Sequence, residues 1–98
     1  MPHYVTLIRW TDQGIRNVRD SPKRAEAARK MAEQLGGKLW LWFTMGEYDL
    51  VGIGEFPNDE AYMQFALQTE SLGNVRTTTL KAWPEADASK VIAKVRQP

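Results

Sequence analysis

Apolar residues are spaced along this chain with two different periods. In residues 4–11, Tyr4-Val5-Thr6-Leu7-Ile8-Arg9-Trp10-Thr11, β-branched and aromatic side chains follow one another and predict a first strand. Val5 and Leu7 face one way, Tyr4, Thr6, Ile8 and Trp10 the other, so both faces are apolar. Asp12-Gln13-Gly14 ends the run, and residues 15–18 predict one short helical turn. From Ser21 the period lengthens. Ala25, Ala28, Ala32 and Leu35 recur at helical spacing, behind a hydroxyl suited to capping and a proline at the first helical position. Their small side chains would let this helix sit close on a sheet. Glu26–Lys30 and Arg29–Glu33 are spaced to pair on its wet side, and Gly36-Gly37 closes it.

Residues 38–44 and 48–56 read as the two arms of a hairpin, with Gly46 in the left-handed position of a three-residue loop. Pro57 stops the second arm. Asn58 is a cap for a second helix, with Asp59 and Glu60 in its first turn and Ala61, Tyr62, Phe65, Ala66, Thr69 and Leu72 on one face. Gly73-Asn74 closes that helix, and residues 75–83 form a fourth strand, polar at Arg76-Thr77-Thr78-Thr79. The order β-α-β-β-α-β predicts an α+β, ferredoxin-like fold: a four-stranded antiparallel sheet, strands one and three central, both helices on one face. Residues 1–84 make that domain. Residues 85–98 make a tail, with Ala88, Val91, Ile92 and Val95 on one side of a short helix.

Two helices cover only one face of such a sheet. The edge strand nevertheless carries Leu39-Trp40-Leu41-Trp42-Phe43 in succession, and the central strands are apolar on both sides. A bare apolar edge and face invite pairing, so a homodimer or higher homo-oligomer is expected. The alternative is that the C-terminal helix folds back over part of the open face.

Composition narrows the chemistry. Without cysteine there is neither a disulfide framework nor a thiolate metal site, which fits a reducing, cytoplasmic setting. No apolar run reaches the roughly 20 residues that cross a membrane, and Met1-Pro2-His3-Tyr4 lacks the basic start of a signal peptide. A net charge of +1 argues against a nucleic-acid surface. RNA-recognition domains share the β-α-β-β-α-β order, but residues 48–56 lack their basic, aromatic strand pattern.

Several segments together resemble one family. They are Tyr4-Val5-Thr6-Leu7, Trp10-Thr11-Asp12-Gln13-Gly14, Ser21-Pro22, Gly36-Gly37-Lys38, Gly46-Glu47-Tyr48-Asp49 and Ser71-Leu72-Gly73-Asn74-Val75-Arg76-Thr77. The combination, over residues 3 to 84, resembles the GYD-domain family, named for the element seen here at Gly46, Tyr48 and Asp49. The resemblance implies a subunit of the dimeric α/β-barrel kind, in which two sheets face each other, and implies no single activity. Relatives at the level of fold include cofactor-free monooxygenases, isomerases, haem enzymes and plain ligand-binding proteins. Fold alone does not choose among them.

The candidate site residues each carry two readings. Asp49 is a general base or ligand anchor, or it accepts N–H bonds in the Gly46 turn. Tyr48 is a ligand contact or proton donor, or a core residue with a bonded hydroxyl. His3, the one histidine, is a second proton-transfer candidate, but it sits at the chain's start and has no partner for a metal site. Arg9 and Arg76 lie on strands predicted to be neighbours, where they bind an anion or pair with Glu55 or a second subunit. Gly52 and Gly54 leave room on one face for a helix or a ligand, and Trp10, Tyr62, Met63 and Phe65 are placed to line that space or to form core. Without Cys, and with no Ser evidently partnered to the one His, a nucleophile triad is excluded. No metal and no cofactor are expected, and no Gly-rich phosphate loop opens a helix. The leading expectation is a homo-oligomer binding a small apolar or aromatic ligand. A ligand-free structural or regulatory oligomerisation module and a cofactor-independent monooxygenase or isomerase are the alternatives.

Overall fold

The computed structural model describes residues 1–98. Strand β1 (His3–Trp10) is the hub. It pairs antiparallel with β3 (Leu50–Glu55) on one side and β4 (Val75–Ala82) on the other, and β2 (Lys38–Phe43) closes the far edge beside β3. The order β2-β3-β1-β4 is that of a ferredoxin-like α+β sheet. Helices α2 (Ser21–Gln34) and α3 (Asp59–Ser71) lie together on one face. A short α1 (Asp12–Arg16) and a single 3₁₀ turn (Val18–Asp20) link β1 to α2, and α4 (Glu85–Ile92) follows β4.

Alternation along β1 assigns Tyr4, Thr6 and Ile8 to the helical face, where all three are buried. The densest packing is at one end of that face. Phe56, wholly buried, meets Tyr4, Tyr62 and Phe65 edge-on or tilted at 5.1–6.1 Å between ring centroids, while Tyr4 stacks on Tyr62 at 4.1 Å. Ala32 of α2 is wholly buried against this cluster, as its small side chain allows. Asn58 caps α3 by accepting from the Ala61 N–H at 2.8 Å. Gly36 and Gly73 terminate the helices at φ +82° and +83°.

Several local expectations are corrected. Ser21 does not cap a helix with its hydroxyl; it lies in the first turn of α2, and its Oγ accepts from Arg24 Nη2 at 3.0 Å. Glu26–Lys30 pairs at 3.7 Å, whereas Arg29–Glu33 is not among the ion pairs. The hairpin loop is longer than three residues. Thr44 N–H donates to the Asp49 carbonyl at 2.9 Å, which leaves residues 45–48 outside the ladder and starts β3 at Leu50. The alternative in which the helix after β4 folds back over the open face is not realised, since Val91, Ile92 and Val95 are all exposed.

The second face is therefore uncovered. The register aligns Trp40, Ile53, Val5 and Leu80 in one row across all four strands, and Trp42, Val51, Leu7 and Thr78 in the next. Trp40 is 44 % exposed, Trp42 53 % and Leu80 51 %, an apolar surface with no cover in the subunit. No helix is long and apolar enough to cross a membrane.

The Tyr4 hydroxyl, at the ring-packed end, donates to Asp59 Oδ1, and Lys81 Nζ lies 3.0 Å from both Asp59 oxygens. Burial, then the bond to Asp59 and the nearby carboxylate charges, push the Tyr4 phenol well above its ordinary range. The Tyr4 bond and Lys81 hold Asp59 below the usual carboxylate range. A raised phenol pKa favours the protonated, folded form, so this contribution is complete below the unfolded tyrosine value of about 10 and is lost as the pH rises beyond it. Asp59 contributes in the opposite sense, losing its share only as acid carries the pH below about 4. In a titration followed at 295 nm, one tyrosine should therefore ionise late, together with alkaline unfolding. Asp59→Asn should bring that step to lower pH.

Candidate functional site: an apolar cavity between sheet and helices

The rings that fill one end of the helical face leave the other end short of volume. A cavity of about 140 Å³ remains between sheet and helices, lined by Ala25 and Ala28 of α2 and, among the strand residues, by Ile8, Leu50 and Thr77. Fourteen of its 20 lining residues are hydrophobic. Met31, Leu39, Leu41, Tyr62 and Phe65 wall its inner part, and Trp10, Leu72, Asn74 and Val75 lie at the α1 end. That end is clamped. Thr11 N–H and Gln13 Nε2 donate to the Asn74 carbonyl and the Leu72 carbonyl, and the Thr11 hydroxyl donates to the Gly73 carbonyl at 2.6 Å. Gly14 is buried there because a Cβ would strike the Asn74 backbone.

Most polar atoms in the wall are already engaged. Thr6 Oγ1 and the Tyr62 hydroxyl share a bond of 2.6 Å, and Tyr62 reaches Thr79 Oγ1 at 2.8 Å. Thr77 gives both its N–H and its hydroxyl to Glu70 Oε1 at 2.8 and 2.9 Å. Arg24 donates to the Asn17 and Gly14 carbonyls and to Ser21. Thr69 Oγ1 alone is buried without a partner.

Of the residues singled out in the sequence, Trp10, Tyr62 and Phe65 line this cavity; Met63 is exposed. The others lie elsewhere. Asp49 anchors the hairpin to β1, its Oδ2 accepting from the Trp10 N–H at 2.9 Å and its own N–H donating to the Ile8 carbonyl at 2.8 Å. Arg9 sits 4.7 Å over the Tyr48 ring and pairs with Glu47 at 2.7 Å, on the uncovered face. Arg76 is directly opposite Arg9 and exposed. His3 Nε2 lies 2.8 Å from Glu55 Oε1 at the far end of β1. The space above Gly52 and Gly54 is taken by Leu39, Leu41 and Phe56 side chains, not by a helix or a ligand. Arg24 and Thr69 also line the cavity and were not among the site residues singled out in the sequence.

Asp49→Ala removes the acceptor for a half-buried N–H and should cost about 1–3 kcal/mol in urea unfolding. Asp49→Asn, which keeps an acceptor oxygen, should lose less.

The family model for the GYD domain matches residues 4–92, a span that includes α4. A protein of Thermus thermophilus named glutamine synthetase and cystathionine β-lyase binding protein is 29 % identical over 89 residues, covering 89 % of this chain and 94 % of its own. The crystal structure of TTHA0845 from the same organism superposes with a TM-score of 0.57 at 26 % identity, over 86 % of this chain and 95 % of that one. At3g17210 from Arabidopsis thaliana, at 14 % identity, shares the fold with a TM-score of 0.54 over 86 % of this chain and 95 % of its own.

Proposed function

The chain belongs to the GYD-domain family, and from that footing we propose that it is a small homo-oligomeric protein whose subunits each bind a small apolar or aromatic molecule between sheet and helices. The observation that carries the reading is the cavity of about 140 Å³ and its apolar wall. A cavity of about 150 Å³ lined by Leu, Ile and Phe takes up benzene, whereas pockets for drug-sized ligands run to about 300–1,000 Å³. The scale suits a single ring. No carboxylate, histidine or lysine lines the wall, so its chemistry supports binding more than proton transfer. The uncovered sheet face supplies the oligomeric surface.

Ligand-observed NMR with benzene, toluene, phenol and indole tests the site. Saturable binding is expected, and Ala28→Leu, which fills the cavity, should abolish it. A flat response to all four ligands would sink the reading.

A second reading, binding of an enzyme, is favoured by the name of the Thermus relative and by the exposed apolar side of α4. It predicts that Ile92→Asp weakens capture of an enzyme partner and leaves small-ligand uptake unchanged.

A further inference from the structure

Arg24 is the one charged residue lining the cavity, and it takes part in none of the ion pairs of the fold. Neutral groups alone hold its guanidinium in place. Nη1 donates to the Asn17 carbonyl at 2.9 Å, and Nη2 to the Gly14 carbonyl at 3.2 Å and to Ser21 Oγ at 3.0 Å. Ser21 is itself buried and lines the cavity, so the positive charge stands beside the apolar space. A guanidinium has five N–H donors. Three are spent on this anchoring, which leaves Nε–H and one Nη1–H. Thr69 Oγ1 is the one buried side-chain polar atom without a partner, so solvent reaches the unbonded Nε of this half-buried arginine. Ala27, one turn further along α2, lines the cavity and is exposed, which sets an opening on the same side of that helix.

Resting on the reading of the cavity as a ligand site, we propose that its ligand is an aromatic monocarboxylate, with the ring in the cavity and the carboxylate at the opening against Arg24. The ring suits the volume and the apolar wall. A carboxylate drawn fully into that wall would lose its water with nothing to replace it. At the opening it keeps part of its water and accepts from Arg24 Nε–H, a charge-assisted bond of the stronger kind. The guanidinium is fixed before the ligand arrives, so little side-chain freedom is lost on binding. No acidic residue lines the cavity to compete for the arginine or to repel the anion.

The test measures benzoate and toluene affinities in the wild-type protein, in Arg24→Gln, which removes the charge, and in Ala28→Leu, which fills the cavity. Benzoate should bind the wild-type protein at least about tenfold more tightly than toluene, the size expected for one hydrogen bond to a charged group. That preference should vanish in Arg24→Gln, and both ligands should be lost in Ala28→Leu. A preference unchanged in Arg24→Gln, or benzoate binding that survives Ala28→Leu, overturns the proposal while toluene binding to the wild-type protein still upholds the cavity. Binding of neither ligand overturns both. If Arg24→Gln does not fold, the wild-type protein decides: the Arg24 Nε–H resonance should move downfield on titration with benzoate, and an equal response to toluene overturns the proposal.

Discussion

Phe56→Ala should leave this domain barely folded. Phe56 is wholly buried and is the ring on which Tyr4, Tyr62 and Phe65 converge. Emptying such a site costs about 3–5 kcal/mol, the lost transfer energy plus a cavity that the neighbours refill only in part. A chain of this length is stabilised by about 5–15 kcal/mol altogether, and each kcal/mol is worth about 4–8 °C in Tm. A fall of roughly 15 °C or more is therefore expected in a thermal melt followed by circular dichroism. Little relief is available, since the backbone N–H of Phe56 donates to the Pro2 carbonyl at 3.1 Å and fixes the residue between sheet and helices. Phe56→Leu, which keeps most of the volume, should lose much less. A Tm within a few degrees of wild type for Phe56→Ala would show that the ring cluster is not the centre of stability.

The elements were legible because alternation and helical spacing are local. Tyr4, Thr6 and Ile8 had to share a face, as did Ala25, Ala28 and Ala32. The uncovered apolar face followed from the same count, since Trp40 and Trp42 alternate with Leu39 and Leu41 on the edge strand. That Arg9 and Arg76 lie on neighbouring strands followed from topology, while the register that sets them directly opposite came from the structure. The cavity was not legible in this way. It is a difference in volume between the ring-packed and alanine-lined ends of one helix face, and it depends on which rings turn toward which end. Asp49 shows the same limit: its place beside a glycine turn pointed to local N–H groups, while its carboxylate accepts from Trp10 on β1. Gly52 and Gly54 promised open space, but Leu39, Leu41 and Phe56 occupy it.

On the proposed homo-oligomeric reading, Ile53→Glu should leave a folded single chain. Ile53 lies in the row that runs Trp40, Ile53, Val5, Leu80 across the uncovered face, and it is 36 % exposed in the subunit. A carboxylate at that position can keep its water in an isolated subunit, so circular dichroism should change little. In an assembly that closes this face, the same carboxylate is buried with no partner. An uncompensated buried charge costs about 3–5 kcal/mol, and a two-fold interface carries the change twice. At 1.4 kcal/mol per tenfold, association should weaken by at least about 100-fold. Sedimentation at micromolar concentration should then give a wild-type mass at a multiple of 11.2 kDa and a variant mass near the single chain. Tryptophan emission should shift to the red in the variant, because Trp40 and Trp42 would lose cover. A folded wild-type protein at the single-chain mass would mean that this face stands bare in water, and the homo-oligomeric part of the function would fall while the ligand cavity on the opposite face stayed open to test.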